Sequence, residues 1–358
     1  MQKFILLTSG CYFLIFSFLI SVNYWGDSAK IFHPGYENKI AEILFNNQNA
    51  TNIANYDERI LEKKIINKLK SSPDILVLGS SRTMLINSSY FDAKKVINNS
   101  VSGASLEDLI GIFQLYKAKN ILPKKIILGI DPWLFNENSG QTRWHSLRKE
   151  YNSFINKESE INESTLSIKT KQLFSLSYFQ ASFRNLPNVI AGISDPIATD
   201  EINNNSNTKL VDASLSYGKT YREVSNEEVK IKARKYLSGK LYSIEKFKKI
   251  SPQIFKEFKY FCQEILENNI ELTFFIAPYH PLVYQKVEKD YQMVLETEFK
   301  VLEFAKGKNI ECLGSFSSIK AGIDSHGFYD GMHSKENTIK KILKVRKHKD
   351  VFKSMGKW

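Results

Sequence analysis

The feature that most limits how this chain can fold is an uncharged stretch near its start. Phe4 to Val22 is a run of 19 residues without a charged side chain, close to the roughly 20 that an α-helix needs to cross a bilayer. Only Lys3 and the α-amine precede it, and residues 23–27 carry no Lys or Arg but do carry an interfacial Tyr-Trp pair. The sequence therefore predicts a single-pass signal-anchor over residues 1–22, with a cytoplasmic N-terminus. The rest of the chain would lie outside the cytoplasm, in the periplasm or at the cell surface. A cleaved signal peptide is the alternative, but no A-x-A-like site follows the apolar run.

The composition indicates a folded protein with a basic surface. Hydrophobic residues at 42% and charged residues at 25% are ordinary globular values, which excludes wholesale disorder. The net charge of +12 would suit an anionic partner, but the lysines are spread along the chain without a nucleic-acid-binding module, so we expect no nucleic-acid partner. The densest basic run, residues 340–349, leads into a basic tail over residues 346–358. It either contacts anionic lipid or glycan or forms a solvated helix face.

Three cysteines do not make a disulfide scaffold. Cys11 lies in the membrane segment. Cys262 and Cys312 are expected to be buried free thiols, with a single bridge between them as the alternative.

Five short strand-like runs alternate with helical patterns in the rest of the chain. Most of these runs end in small residues or proline, as buried parallel strands do. The runs are residues 74–78, 95–101, 124–130, 270–276 and 309–313, and helical patterns lie at residues 57–70, 106–116, 253–266 and 287–305. This alternation predicts an α/β fold, a three-layer α/β/α sandwich with a parallel sheet of about five strands.

Two segments fall outside that alternation. Residues 23–70 are interpreted as a stalk and leading helix before an α/β domain over residues 71–345. Residues 136–250 have an Asn-rich polar centre, with helix-like segments at 169–183 and 227–237, and are interpreted as a helical and irregular insertion. Ligands of open α/β sheets bind beyond the carboxyl ends of the strands, so this insertion would act there as a lid or substrate-selecting arm.

A candidate nucleophile follows the first of these predicted strands, in Gly79-Ser80-Ser81-Arg82. A serine hydroxyl becomes nucleophilic when a base takes its proton, and that base is commonly a histidine held by a carboxylate. Asp330-Gly-Met-His333 supplies both groups on one short segment near the end of the chain. We predict Ser81 as nucleophile, His333 as base and Asp330 as the acid that orients it. The alternative is a helix-capping serine at Ser81, and at Asp330 and His333 a helix N-cap with a partly exposed histidine.

These motifs resemble those of the SGNH, or GDSL-like, hydrolase superfamily. Its first block, Gly-Asp-Ser, is matched by residues 79–81, with Ser81 in the nucleophile's place and Ser80 in the place of the aspartate. Gly103 matches the glycine whose backbone N–H helps to bind the oxyanion, and the Asp-x-x-His pair matches the last block. The resemblance implies a flavodoxin-like fold and a metal-independent serine esterase or acyl transferase that uses no cofactor.

The anchor and the motifs together resemble the membrane-bound SGNH-like proteins of cell-envelope polymer acylation, among them the D-alanyl transfer protein of teichoic acid synthesis. This looser resemblance implies an acylated or anionic surface glycan as substrate and a membrane-bound acyltransferase as partner. The alternative function is that of a non-catalytic relative that binds surface polymer or scaffolds its assembly machinery.

The third block departs from the superfamily pattern. The family has Gly-x-Asn, whose amide donates to the oxyanion, whereas this chain has Gly129-Ile130-Asp131. An ionised carboxylate has no N–H to donate and would repel an oxyanion. Asp131 is therefore protonated, caps a neighbouring turn, or pairs with Arg82 or Arg143. If it does not donate, the oxyanion would depend on two backbone N–H groups alone.

Four further residues are candidates for substrate binding. Arg82 binds an anionic substrate group or pairs with a carboxylate, and Arg143 and Trp144 form a sugar-stacking wall or anchor a loop. His280 contacts substrate or packs within its proline-flanked turn. The sequence has no P-loop, H-E-x-x-H or G-x-S-x-G motif and no metal-spaced Cys/His cluster, so no metal is expected.

Overall fold

The computed structural model describes residues 1–92, 95–156 and 165–344. The predicted basic tail over residues 346–358 lies outside the described residues. The helices are α1 Gln2–Gly26, α2 Tyr36–Phe45, α3 Glu58–Lys68, α4 Leu106–Ala118, α5 Arg148–Phe154, α6 Thr165–Leu173, α7 Leu176–Ile190, α8 Lys219–Arg222, α9 Asn226–Ser238, α10 Pro252–Glu267, α11 Pro281–Asp290, α12 Gln292–Lys308 and α13 Glu336–Lys344. The strands are β1 Asn49–Thr51, β2 Ile75–Leu78, β3 Val96–Asn98, β4 Lys125–Gly129, β5 Ile197–Thr199, β6 Thr208–Lys209, β7 Leu215–Ser216, β8 Glu271–Ile276 and β9 Glu311–Gly314.

A parallel five-stranded sheet organises the molecule. Its strand order is β3-β2-β4-β8-β9, and every neighbouring pair is parallel. Each of its strands coincides with one of the five strand-like runs, so the prediction of an α/β fold with a parallel sheet of about five strands is confirmed. The central strands are apolar at nearly every position because both faces of the sheet are buried.

The two faces of the sheet belong to two separate hydrophobic clusters. Leu76, Leu128 and Phe274 point into the larger cluster, which includes side chains of α3, α4, α10 and α12. The intervening residues Val77 and Phe275 point into a second cluster, which includes α13. This alternation follows from the two-residue period of a strand. Burying large apolar side chains on both faces gives about 1.5–3 kcal/mol for each residue and holds the strand ends in place.

Helix α1 is long and apolar enough to cross a membrane, and it continues beyond the predicted span to Gly26. This observation rests on the length and composition of the helix.

Residues 23–70 are packed more intimately with the domain than a stalk would be. Ile40 of α2 and Leu61 and Ile66 of α3 are fully buried in the larger cluster. The apolar spacing of α3 predicted a helix. That this helix belongs to the core is seen only from the packing of its side chains in the larger cluster.

A second, four-stranded sheet of order β5-β1-β6-β7 is antiparallel and was not predicted. It joins the two segments that fell outside the alternation, because Ala50 of β1 pairs with both Ala198 of β5 and Lys209 of β6. Its strands have two or three residues each, too few for a period-two pattern to be recognised. Residues 136–250 are therefore tied to residues 23–70 by backbone hydrogen bonds.

Both cysteines outside α1 carry free thiols. Cys262 is buried in α10 and Cys312 is half-buried in β9. Burial raises the pKa of the Cys262 thiol well above its ordinary value, which keeps it protonated and unreactive.

Candidate active site

The topology brings the polar ends of neighbouring strands to one edge of the parallel sheet. Ser81 follows β2, Gly103 follows β3 and Asp131 follows β4. Starting from β2, the chain adds β3 on one side of the sheet and then β4, β8 and β9 on the other, so the order of strands switches sides between β2 and β4. Ligands of open α/β sheets bind outside the carboxyl ends of the strands at such a switch point. The residues of the three predicted blocks therefore lie at one edge of the sheet.

Ser81, His333 and Asp330 form a continuous hydrogen-bonded chain. The Ser81 Oγ lies 3.0 Å from the His333 Nε2, and the His333 Nδ1 lies 2.8 Å from the Asp330 Oδ2. A neutral imidazole whose Nδ1–H donates to a carboxylate presents a lone pair at Nε2, so the serine O–H donates to the histidine. This is the arrangement in which a histidine can accept the proton of a serine nucleophile.

Asp330 is held in position by its own backbone segment and by a tyrosine. Its Oδ1 accepts hydrogen bonds from the backbone N–H groups of Met332 at 2.7 Å and His333 at 2.9 Å, and its Oδ2 accepts one from the Tyr221 hydroxyl. Burial alone would raise the pKa of Asp330, but the hydrogen bond and charge of His333, with the Tyr221 and Met332 donors, hold it well below its ordinary value. The carboxylate is thus ionised and suited to stabilise an imidazolium.

The turn that carries Ser81 depends on two glycines. A Cβ at Gly79 would lie 2.4 Å from the Thr83 Oγ1, and one at Gly129 would lie 2.7 Å from the Thr83 Cγ2. Thr83 can therefore fold back over both strand ends, where its hydroxyl donates to the Ser80 carbonyl at 2.9 Å and pairs with the Ser100 hydroxyl at 2.8 Å. This arrangement locks the Ser80-Ser81 turn against the loop after β3.

Arg82 and Asp131 form a buried ion pair beneath the serine turn. The Arg82 Nη1 lies 3.0 Å from the Asp131 Oδ1, and both side chains are inaccessible to solvent. Burial raises the pKa of Asp131, while the charge and hydrogen bonds of Arg82 act in the opposite direction. Of the alternatives open for Asp131, the structure has the pair with Arg82 and not with Arg143.

Arg82 also links residues 330–333, the segment that carries His333 (the histidine segment), to the sheet. Its Nε donates to the Met332 carbonyl at 3.2 Å, its Nη2 donates to the Ala277 carbonyl after β8, and its guanidinium lies 4.3 Å from the centroid of the Tyr279 ring. Because every donor group of Arg82 faces a protein partner, the predicted role in substrate binding is replaced by a structural one.

Gly103 adopts a left-handed backbone conformation, with φ +54°. This backbone conformation favours glycine, and a Cβ there would lie 2.0 Å from the Tyr242 hydroxyl and 2.3 Å from the Arg143 Nη2, so a larger residue would displace the ends of these two side chains. Across the described ranges, the backbone N–H groups of Gly103 and Ser81 donate to no protein acceptor. Ser81 is half-buried and Gly103 is buried beneath the ends of the Tyr242 and Arg143 side chains.

The loop that carries Gly103 is held by charged residues of α3 and α4. The Arg59 side chain of α3 donates to both carboxylate oxygens of Asp108 at 2.9 and 2.8 Å and to the Ser102 carbonyl at 3.0 Å. The neighbouring Glu58 carboxylate accepts from the Ser102 hydroxyl at 2.7 Å. Asp108 and Ser105 form a capping box that begins α4 at this point. The segment predicted as a stalk thus positions part of the site.

The remaining candidates for substrate binding have different environments. Arg143 is exposed and donates to the Tyr242 hydroxyl at 2.6 Å beside Gly103, so it remains accessible to a ligand. Trp144 is half-buried, packs edge-on against Tyr151 at 5.3 Å and anchors its loop to the core.

His280 is buried and lies away from solvent. Its Nδ1 accepts from the Leu282 N–H at 3.2 Å and caps α11, and its backbone N–H donates to the Gly331 carbonyl at 3.0 Å. Burial lowers its pKa, so it is a neutral residue that supports the Asp330 segment from below. The turn-packing alternative describes His280 better than substrate contact does.

Sequence reasoning missed Tyr221, which α8 delivers from within the insertion. Its hydroxyl bonds Asp330 and lies 3.4 Å from the His333 Nδ1. Burial raises the pKa of Tyr221 far above its ordinary value, with the Asp330 charge adding to the effect, so it remains a donor. The only signal in the sequence was the i, i+4 spacing of Tyr217 and Tyr221, whose rings lie 4.5 Å apart.

A cavity of about 1100 Å³ adjoins the site on the side of Gly103. It runs from the segment after α1 to Ser102 and Arg143, and basic side chains along it include Lys30, Lys64 and Lys169. Among the described residues, no group of three or more His, Cys, Asp or Glu side chains is placed to hold a metal ion.

Comparison with known proteins gives no relative to set beside this geometry, since no protein-family model and no curated protein matches the chain.

Proposed function

We propose that this protein is an extracytoplasmic serine esterase or O-acyl transferase of the SGNH type that acts on an acylated cell-surface glycan. The observation that carries the proposal is the chain of hydrogen bonds from Ser81 through His333 to Asp330. A capping role for each residue would explain its local position, but not why residues 252 positions apart meet in this order.

The reaction proceeds in two acyl-transfer steps. The Ser81 Oγ attacks the ester carbonyl while the His333 Nε2 accepts the serine proton. The tetrahedral intermediate then breaks its bond to the glycan oxygen, and His333 gives the proton to that oxygen, which leaves as a hydroxyl. Water or a second sugar hydroxyl attacks the acyl-serine, again with His333 as base. Water gives hydrolysis and a sugar gives transfer. Asp330 stabilises the imidazolium in both steps.

The oxyanion is bound by the backbone N–H groups of Ser81 and Gly103. Asp131 supplies no donor in this scheme, and its charge is compensated by Arg82 at 3.0 Å, so it does not repel the intermediate as an unpaired carboxylate would. The loss of one donor costs about 10²–10³-fold in rate, so we expect slow turnover.

The strand order and the layering of the sheet also support the SGNH proposal. The order β3-β2-β4-β8-β9 is second-first-third-fourth-fifth along the chain, which is the flavodoxin-like order. Clusters on both faces are consistent with three layers, α/β/α. The cavity on the side of Gly103 is lined by five Lys or Arg and three Asp or Glu side chains, a small positive excess that suits an anionic polymer, and an acyl group delivered from a membrane-bound acyltransferase would reach the site on the same side as α1.

The test is covalent labelling of the full-length protein in detergent with a fluorophosphonate, followed by mapping of the labelled peptide. We expect the label on Ser81, with loss of labelling in Ser81→Ala and in His333→Ala. Ser89→Ala, at an exposed serine that only bonds its neighbour Asn87, is the matched control and should label normally.

Absence of label from the folded wild-type protein, or label elsewhere, would favour the non-catalytic alternative of a surface-polymer binder. Release of acyl groups from purified acylated glycan by the wild type but not by Ser81→Ala would identify the substrate class.

A further inference from the structure

Helix α7, within residues 136–250, presents an apolar stripe that the part of the chain described by the structure does not cover. Leu176, Phe183 and Ile190 lie at seven-residue intervals and are 68%, 53% and 79% exposed. Phe179 and Leu186 lie on the same side of the helix and are half-buried. Seven residues are close to two helical turns, so these side chains form one continuous stripe. Soluble surfaces rarely carry a contiguous row of large apolar side chains without an occupant.

A second side of α7 is packed against the apolar N-terminal helix. Asn185 donates through Nδ2 to the Gly26 carbonyl at 2.7 Å, and a Cβ at Gly26 would lie 2.3 Å from the Ser182 carbonyl oxygen. The rings of Phe179 and Phe18 are in edge contact at 5.9 Å. Glycine at position 26 is thus what lets the two backbones approach so closely.

The turn before α7 is tied to α1 by a buried asparagine. The Asn23 Nδ2 donates to the carbonyls of Leu173 at 2.8 Å, Gln172 at 3.1 Å and Ser175 at 3.2 Å. The Tyr178 hydroxyl of α7 donates to Asp27 at 2.7 Å. These bonds fix α7 to the last turns of α1 and to the residue that follows it.

The position of these contacts along α1 sets the depth of α7. Phe18 lies inside the uncharged stretch that ends at Val22, whereas Asn23 and Asp27 are the first polar side chains after it. Tyr24 and Trp25 are 41% and 61% exposed at the same level, and such side chains favour the membrane-water boundary. If α1 crosses a bilayer, α7 lies at that boundary.

The third side of α7 is polar. Ser177, Gln180, Arg184 and Asn188 are exposed and lie apart from the apolar stripe. A helix with one side on protein, one apolar side and one polar side at the boundary has the pattern of an interfacial helix.

We propose that α7 is an interfacial membrane helix, whose stripe of Leu176, Phe183 and Ile190 is embedded in the lipid leaflet on the side of the domain. Together with α1 it forms a two-point attachment that fixes the orientation of the domain and keeps the cavity between residues 28–35 and Gly103 near the membrane surface. This inference depends on α1 as the membrane span and is independent of any catalytic activity.

The experiment is site-directed spin labelling of the full-length chain in nanodiscs of phosphatidylcholine and phosphatidylglycerol. Single cysteines replace Phe183 and Ile190 on the stripe, and Arg184 and Asn188 on the polar side serve as adjacent controls, in a background in which the three native cysteines are alanine. Collision rates of each label with oxygen, which partitions into lipid, and with a water-soluble nickel complex are measured by power saturation.

We expect the oxygen-to-nickel ratio to exceed one for Phe183→Cys and Ile190→Cys and to fall below one for Arg184→Cys and Asn188→Cys. Equal access of nickel to all four labels would overturn the proposal, because the stripe would then face water. Labels at 183 and 190 shielded from both reagents would also overturn it, because the stripe would then be covered by a second copy of the chain.

Discussion

The ion pair of Arg82 and Asp131 makes the serine turn, the end of β4 and the histidine segment one rigid unit. Both side chains are buried, and the pair is supported by carbonyl acceptors on two other segments. An ion pair of this kind gives little net stability, but removing one partner leaves the other charge buried and unpaired. The superfamily that the motifs resemble has an asparagine amide at this position. Here the carboxylate of Asp131 is explained by its ion pair with Arg82, the residue next to Ser81.

We therefore predict that Asp131→Asn destabilises the protein by roughly 3–5 kcal/mol and slows fluorophosphonate labelling. Unfolding in urea, followed by intrinsic fluorescence of the full chain in detergent, measures the first effect. Asp195→Asn is the matched control, since it breaks an exposed pair with Lys39 and should cost less than about 1 kcal/mol. Equal effects of the two changes would contradict a structural role for Asp131.

Gly103 offers a test of the oxyanion loop. Alanine at a left-handed position costs about 1–2 kcal/mol wherever it occurs. Gly140 has φ +70° and open space around it, so Gly140→Ala carries that backbone cost alone.

Gly103→Ala should add a clash with Tyr242 and Arg143 and displace the N–H group. We predict a fall of up to about 10²-fold in the labelling rate for Gly103→Ala and little change for Gly140→Ala. Identical labelling rates for the two variants would mean that Gly103 lies outside the reacting region.

At the level of elements, a buried ion pair helps to join the insertion to the core. Lys209 of β6 lies 2.9 Å from the Glu62 carboxylate of α3, and both side chains are inaccessible to solvent. Burial raises the pKa of Glu62, and Lys209 and Asn99 oppose that shift. The pair holds the small antiparallel sheet against the helix that also positions the Gly103 loop.

Lys209→Met should leave Glu62 without its cation and reduce the free energy of unfolding by about 3–5 kcal/mol. Adding Glu62→Gln to Lys209→Met should recover part of that loss, because the second change removes the unpaired charge. Lys300→Met breaks an exposed pair within α12 and should change stability by less than about 0.5 kcal/mol. A double variant less stable than Lys209→Met would show that the two residues act independently.

For the molecule as a whole, the buried neutral His280 leads us to expect that the free energy of unfolding depends on pH. Burial lowers its folded-state pKa, so the unfolded chain binds a proton more readily. The contribution of His280 is fully present above its unfolded pKa of about 6.5 and is lost as the pH falls through the lower folded value.

We expect the wild-type protein to lose stability as the pH falls from 7 through this window, and His280→Asn, which can still cap α11, to lose less. Thermal unfolding at a series of pH values compares them. Parallel curves for the two proteins would contradict a buried neutral histidine.

The orientation of the chain is a further prediction. A cysteine placed at the exposed residue Ser153 should react with a membrane-impermeant maleimide in intact cells, whereas a cysteine at Gln2 should react only after permeabilisation. The wild-type chain measures background from the native thiols. The opposite pattern would place the domain in the cytoplasm.

Local sequence patterns predicted the elements whose residues lie next to one another in the chain. Short strand-like runs predicted each strand of the parallel sheet, nineteen uncharged residues predicted the N-terminal apolar helix, and a three-residue spacing placed Asp330 beside His333. In each case the residues that carry the signal are adjacent in the chain, so their geometry follows from one strand, helix or turn.

Contacts between side chains that are distant in the sequence are visible only in the folded chain. Tyr221 reaches Asp330, Arg82 pairs with Asp131 and Lys209 with Glu62 across separations of 109, 49 and 147 residues. The antiparallel sheet and the α1 contacts of α7 likewise join segments more than 100 residues apart. No periodic pattern reports such pairings, because they depend on the path of the whole chain and on which buried charges it must neutralise.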